Sequence, residues 1–457
     1  MLRSDTLPAS WYLLLCYFRS CFTAPTFTTF VMLVSGMIAR PQWRTVTGML
    51  IAAGLSGNWH HSRAHRFFSR AAWSPEAVSR ALAILIVDTL VPAGAPLLIA
   101  VDDTLFTRSG RKVAATGWHH DASVKTKNAK DARLRWGNCW VVAGIVVELP
   151  LLTRPVCLPV AFALWVSTPG STAPEQSKQA LAGRLITMIA DACPGRRIDM
   201  VADSWYAGAD GAPGAALGAG KHRGLPAGVT LTSRLRANGV LHRIAVAEPG
   251  RGGRPKRIGE RIGTPKDLAG HPDTVWRTTT VNRYGRTDTV TLTETICLWY
   301  GVYRSRAVRV ILLRDNGAGS GYGIALITTD LHSSAETIIE RYAARWSIEV
   351  AFADAKQITG VGEARNRTRT AVERTVPIGL VTQSLVIVWH SLHGTDDVAA
   401  RRAQAPWYRT KTQPSYLDMI IQLRHAIITT NNLGTHPDQR TPQETPAATP
   451  TRKQTAA

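Results

Sequence analysis

Long apolar runs are missing from this chain of 457 residues. No stretch reaches the roughly 18 uninterrupted apolar residues of a membrane helix, because Thr, Ser, Gly and charged residues break every candidate, so no membrane partner is expected and the cytoplasm is the expected compartment. The opening, MLRSDTLPASWYLLLCYFRSCFTA, is a poor secretion signal: its apolar run is about eight residues long, and Asp5 and Pro8 interrupt the charged region. Cysteine is scarce too, with six residues, and neither Cys-x-x-Cys pairs nor the density of a disulfide scaffold are present, which reads as reduced core thiols. Acidic residues are few: 32 Asp and Glu face 54 Lys and Arg, for a net charge of +22. A basic excess of this size points to a polyanionic partner, and nucleic acid is the usual one.

Other absences narrow the chemistry. The glycines of GAPGAALGAGKH do not form a nucleotide-binding loop, since the spacing before Gly220-Lys221 is wrong and His222 stands where Ser or Thr is needed. His61 and His65 have an i,i+4 spacing, but no Glu follows the first His as a zinc protease requires, so DNA-backbone contact or plain surface is expected. His119, His120 and Asp121 in GWHHDAS lack a fourth ligand.

What is present is 45% apolar residue content, enough for a large core or about two to four folding units. Residues 10–90 have helical spacing, and Ser74, Pro75 and Glu76 form a good helix start. Trp43, Arg44, Trp59, His60, His61, Arg63, His65 and Arg66 there suit a phosphate-contacting surface. The pattern then changes to a buried strand, PLLIAVDDT at 96–104, that ends in two carboxylates. Two β-branched runs follow at 137–150 and 156–167, then a helix at 174–193 and a strand, RIDMVADSWY, ending in another acid. Three strands, a helix and a strand is the order of an RNase H-like α/β core. A Gly-rich helix at 208–222, a fifth strand in GVTLTSRLR, the loop EPGRGGRPKRIGERIGTP and several strand-like runs come next, before helix returns at Ser334. The domains expected are a helical DNA-binding region at 1–92, the core at 93–235 and 326–398, a β-rich insertion at 236–325, a C-terminal helical segment at 399–432 and a disordered tail at 433–457.

The run ERYAARWSIEVAFADAK, 340–356, places Tyr342, Arg345, Glu349 and Lys356 within an arc of about 60° on a helical wheel. Ile348, Ala351 and Phe352 give the same helix an apolar face for a sheet. Alone, the stripe reads as a solvated ion pair between Arg345 and Glu349. The two upstream strands ending in acids change that reading, because carboxylates at neighbouring strand ends converge where open α/β sheets bind ligands. Three clustered carboxylates repel unless a cation neutralises them. Hard oxygen donors suit two Mg²⁺ ions, with Mn²⁺ as a substitute, for in-line displacement at a phosphodiester.

The spacing Tyr342-x2-Arg345-x3-Glu349-x6-Lys356 resembles the Tyr-Arg-Glu-Lys signature of bacterial insertion-sequence transposases of the DDE, RNase H-like class. VDDT and VADSWY look like that family's first two catalytic motifs, and APWYRTKTQPSYLDMI resembles its insertion-sequence 701-like members. The resemblance implies catalytic and metal-ligating roles for Asp203 and Glu349, with Asp102 preferred over Asp103 as the first acid. It implies phosphate contacts for Tyr342, Arg345 and Lys356, and Trp346 lies beside the stripe, where it can stack on an unpaired base or anchor the helix. The partners implied are double-stranded DNA, as terminal inverted repeats and as target, and a second copy of the chain in a synaptic dimer. A stand-alone nuclease and a non-catalytic DNA-binding repressor are the alternatives.

Overall fold

A computed structural model describes residues 7–42, 44–121, 134–166, 176–207, 225–246, 256–315, 321–395, 407 and 410–433. Its strands are β1 (Leu97–Thr107), β2 (Gly117–His120), β3 (Leu134–Val147), β4 (Val156–Trp165), β5 (Ile198–Ala202), β6 (Val229–Arg234), β7 (Leu241–His242), β8 (Arg261–Gly263), β9 (Arg277–Arg283), β10 (Arg286–Cys297), β11 (Val308–Asp315) and β12 (Ile324–Thr328). Ten of them form one mixed sheet in the order β2-β3-β1-β5-β6-β12-β11-β10-β9, with β4 also paired to β3. β3 is antiparallel to β1 and β4, whereas β5 is parallel to both β1 and β6. Parallel pairing needs a crossover, and α6 (Lys178–Ala192) supplies it between β4 and β5. The large mixed α/β sheet is consistent with an RNase H-like fold.

The sequence reading ended the first strand at its two acids. The strand instead runs four residues past Asp103, to Thr107, because β3 pairs with it along Leu98–Thr107 while the pairing with β5 stops at Val101. The acids therefore sit mid-strand in β1, at the point where its parallel neighbour ends. Beyond β6, strands β12 to β9 continue the same sheet in antiparallel fashion. Their Thr- and Val-rich runs suit a half-buried pleat.

Helices cover both faces. In chain order α1 (Ala9–Cys16), α2 (Ala24–Ala39), α3 (Val46–Ala52), α4 (His61–Ser69) and α5 (Pro75–Leu90) precede α6. Ser74 Oγ accepts from Glu76 N at 3.2 Å, which caps α5 as its sequence implies. Phe30, Leu33, Leu82 and Ile86 of these helices share one apolar cluster with Ile99, Val101 and Ile145 of the sheet. After the short α7 (Pro265–Gly270) and α8 (Tyr300–Tyr303) come α9 (Ala335–Ala344), α10 (Trp346–Asp354), α11 (Arg369–His393) and α12 (Tyr416–Leu433). On the opposite face, Ile348, Ala351 and Phe352 of α10 pack on Ala100, Val142 and Val201.

By length and composition α11 alone among the described helices could cross a membrane, and 83% of its most apolar window is buried inside the protein. It packs on β4, α5 and α12. Polar residues interrupt it, which is why no continuous apolar run is visible in the sequence. Three of those residues bond within the protein: Thr382 Oγ1 donates to Ile378 O at 2.7 Å, Gln383 Nε2 to Ala351 O at 2.9 Å and Ser384 Oγ to Pro159 O at 2.8 Å, while Gln383 Oε1 is buried without a partner among the described residues. Trp43, the Gly-rich helix expected at 208–222, much of the loop at 248–265 and the tail after Leu433 lie outside the described residues.

Candidate active site

Strand register brings the first two acids together. Pairing of β1 with β5 runs from Leu97↔Ile198 to Val101↔Ala202, and the next residue on each chain is an acid, Asp102 and Asp203. Alternation then sorts the pair Asp102 and Asp103, since successive residues of a strand face opposite sides. Ala100 joins the cluster beneath α10, whereas Ile99 and Val101 join the cluster on the other face. Asp102 thus lies on the α10 side. Asp103 meets α6 instead: its Oδ2 accepts from Lys178 Nζ at 2.6 Å, and its Oδ1 accepts from Tyr206 Oη at 3.3 Å.

Glu349 arrives on a helix that is not continuous. Ser334 Oγ accepts from Thr337 N at 3.1 Å and starts α9. The single helix expected through 340–356 breaks at Arg345, where the amide bonds Tyr342 O at 3.2 Å, a tighter i→i+3 closure. A π-helical turn, Ala355–Thr359, then widens the end of α10 before Gly360 stops it at φ +68°. Gly360 serves two needs there. It adopts the left-handed conformation at little cost, and it leaves room for Arg44, whose side chain a Cβ would strike.

The stripe drawn on an ideal wheel is consequently split. Arg345 Nη1 donates to Asp102 Oδ2 at 3.1 Å and its Nη2 to Glu349 Oε1 at 2.8 Å, so one guanidinium ties the third acid to the first. The same guanidinium lies 5.7 Å from the Tyr342 ring centroid. Lys356, in the π turn, sits further along β1, its Nζ 5.5 Å from the Phe106 ring centroid. Trp346 is 51% exposed and borders a cavity of about 520 Å³ between α10 and the β9–β10 turn, with Tyr284 and Arg286 among its lining.

The acids are short of positive charge. Burial, and then Asp203 nearby, push the Asp102 carboxyl up to about 7 even with Arg345 beside it. Burial also raises Asp203, against a hydrogen bond from Trp205 N to its Oδ1 at 2.9 Å. Arg345 Nε is buried without a hydrogen-bond partner. An oxygen-only, under-neutralised donor set of this kind fits a hard dication. Among the described residues no three His, Cys, Asp or Glu side chains already converge on one ion, and Glu349 reaches Asp102 only through Arg345.

The model of the DDE superfamily endonuclease family matches residues 17–297. The chain belongs to that family. No curated protein matches it. DDE superfamily endonucleases act on DNA and generally use divalent metals, which agrees with the charge of the chain and with the carboxylates. The matched span of this DDE endonuclease contains Asp102, Asp103 and Asp203 but ends before Glu349.

Sequence reasoning missed several residues that hold the strands and helices around these acids. Lys178 and Tyr206 hold Asp103, and only the position of Tyr206 three residues after Asp203, in the turn closed by Tyr206 N to Asp203 O at 3.2 Å, offered a local signal. Arg341 also went unremarked: it reaches Asp199 Oδ2 at 3.2 Å and Asp330 Oδ2 at 3.0 Å, joining α9 to the sheet. Among the helices before β1, Arg63 stacks on Trp59 at 3.6 Å and bonds Thr29, so its head is engaged within the protein.

Proposed function

We propose that the chain is a DDE transposase that binds the terminal inverted repeats of an insertion sequence, cleaves DNA there and joins the freed 3′-hydroxyls to target DNA. The observation that carries this reading is the placement of Asp102 and Asp203 one residue beyond the last paired residues of β1 and β5, with Glu349 tied to Asp102 through Arg345. Asp102, Asp203 and Glu349 would hold two Mg²⁺ ions, with Mn²⁺ as the softer substitute. When bound, such ions activate a water or 3′-hydroxyl and stabilise the leaving oxygen.

The chain's own residues do the rest. Arg345 orients Asp102 and Glu349, and its planar fork also matches a phosphate, so it can hold the scissile backbone beside the acids. Tyr342 packs against it. Lys356 contacts backbone further along β1, and Trp346 stacks on a base at the rim. Asp103, salt-bridged to Lys178 on the far side of the strand, fixes the β1–α6 packing rather than ligating metal. In the same reading residues 1–92 are the DNA-binding region that contacts end DNA, 93–235 and 326–398 are the catalytic core, 236–325 is a β-rich insertion, 399–432 is a C-terminal helical segment, and two copies bridge two ends.

The test is a cleavage assay on duplex DNA carrying the repeats that flank the gene. Strand breaks at the repeat ends are expected with Mg²⁺ and absent in EDTA. Tight end binding with no cleavage in either Mg²⁺ or Mn²⁺ would overturn the enzyme in favour of a DNA-binding repressor. Cleavage without joining would leave a nuclease and remove transposition.

A further inference from the structure

Past Asp102, β1 leads into a broad cleft of about 1480 Å³ between residues 107–113, residues 362–367 and Arg44. Its walls carry Arg44, Arg108, Arg111, Lys112, Arg365 and Arg367. The one carboxylate among its described lining residues, Glu363, is already neutralised by Arg44 at 2.6 Å. Arg111, Lys112, Arg365 and Arg367 are exposed, and none has an ion-pair partner among the described residues. Like charges around one concavity repel, and a polyanion laid through it relieves the repulsion.

Arg108 gives a second, independent indication. It is 8% exposed, and its contacts pin the two walls together: Nε donates to Asn138 Oδ1 at 2.9 Å, and Nη1 donates to Gly362 O at 3.2 Å and to Ala364 O. Asn138 is held in turn by its Nδ2 donating to Ala114 O at 3.0 Å and Ala115 O at 2.9 Å. Yet Arg108 Nη2 is buried with no partner. A buried guanidinium donor is rarely left unpaired, and on the wall of a cationic cleft a phosphate oxygen is the acceptor that suits it.

We infer that this cleft is a binding site for the phosphodiester backbone of duplex DNA, on the flank of the cleavage centre. Thr107 lies about 17 Å beyond Asp102 along the extended strand, the length of about five base pairs. The cleft therefore takes backbone about five base pairs from the broken phosphate. This placement rests on the reading of Asp102 as part of the cleavage centre; the occupancy of the cleft by DNA does not.

The test combines Arg111→Ala, Lys112→Ala, Arg365→Ala and Arg367→Ala in the full chain, all on exposed side chains, with the thermal midpoint checked against wild type. Binding to the flanking-repeat duplex is measured against salt concentration. Each phosphate contact contributes about 0.9 to the log–log slope, so the variant's slope is expected to be shallower by about 2 to 4. Uncharged methylphosphonates placed four to six base pairs from the cleavage position, roughly the span the cleft reaches, weaken wild-type binding and leave the variant unchanged. A variant with the wild-type slope, and equal sensitivity of both proteins to the methylphosphonates, would overturn the inference. If wild type cleaves in Mg²⁺ and the slopes are equal, the cleft fails alone; if the slopes differ and wild type never cleaves, the cleft stands and the nuclease reading fails.

Discussion

Asp203→Asn and Glu349→Gln are each expected to lower Mg²⁺-dependent cleavage by about 10³-fold or more, equivalent to about 4 kcal/mol of transition-state stabilisation. The reason is charge and not shape. An amide oxygen at position 203 still accepts from Trp205 N, and one at position 349 still accepts from Arg345 Nη2, so the local fold survives both changes. What is lost is the negative charge that would hold a hard dication. End-DNA binding, measured by gel shift in EDTA, should stay equal or tighten, because each change removes a like charge from a DNA-facing site. Full cleavage by either variant would refute the assignment.

The second large effect concerns stability. Arg341 lies between two carboxylates that are each 4% exposed, Asp199 on β5 and Asp330 after β12. Removing one partner of a buried ion pair costs roughly 3 to 5 kcal/mol, because the remaining charge is left uncompensated. Arg341→Met should therefore destabilise the protein by about 3 kcal/mol, at the low end because Arg197 Nη2 still pairs with Asp199 Oδ2 at 3.1 Å and Thr230 Oγ1 and Ser333 also bond the two acids. A thermal midpoint several degrees lower is the expected readout, and a midpoint equal to wild type would contradict it.

Asp330 and two acids held elsewhere in the protein set the acid limit. Burial pushes Asp330 up, but hydrogen bonds from Ser333, His332 N and Arg341 outweigh it and hold the carboxyl well below its usual range. Hydrogen bonding to Arg277 likewise lowers Glu336 to about 2, and hydrogen bonds from Lys411 and Ser415 overcome burial to bring Asp418 to about 2. Groups with depressed folded-state values stabilise the protein above their unfolded values and lose that contribution as pH falls. Stability should accordingly drop between about pH 4 and pH 2. In Arg341→Met the pH-dependent part contributed by Asp330 is smaller, which urea titrations at stepped pH would show.

Much of the core was legible because its signals are local. Apolar and β-branched runs marked β1, β3, β4, β5 and β6, and Ser74-Pro75-Glu76 marked the start of α5. The acids after Val101 and Ala202 stood out as carboxylates closing apolar runs. What local pattern could not give was pairing: β1 runs past its acids because β3 supports it on one side only, and nothing in VDDT says so. Choosing between Asp102 and Asp103 needed the faces of the sheet, which the contacts of Ala100 and Ile99 define. The ideal wheel put Lys356 on one stripe with Arg345, and the break at Arg345 and the π turn at Ala355–Thr359 shifted it toward Phe106. Long-range partners such as Lys178, Arg341 and Arg108 left no mark in the sequence, since each acts on residues tens to hundreds of positions away.

The most direct test of the central claim, that Asp102 and Asp203 jointly hold the catalytic ions, is cleavage by Asp102→Cys, Asp203→Cys and Asp103→Cys in Mg²⁺ and in Mn²⁺, each normalised to wild type in the same ion. A thiolate is a poor ligand for Mg²⁺ and a better one for softer ions. The account predicts that the first two variants are inactive in Mg²⁺ and partly recover in Mn²⁺, while Asp103→Cys shows no such ion preference. Rescue confined to Asp103→Cys, or Asp102→Cys as active in Mg²⁺ as wild type, would contradict it.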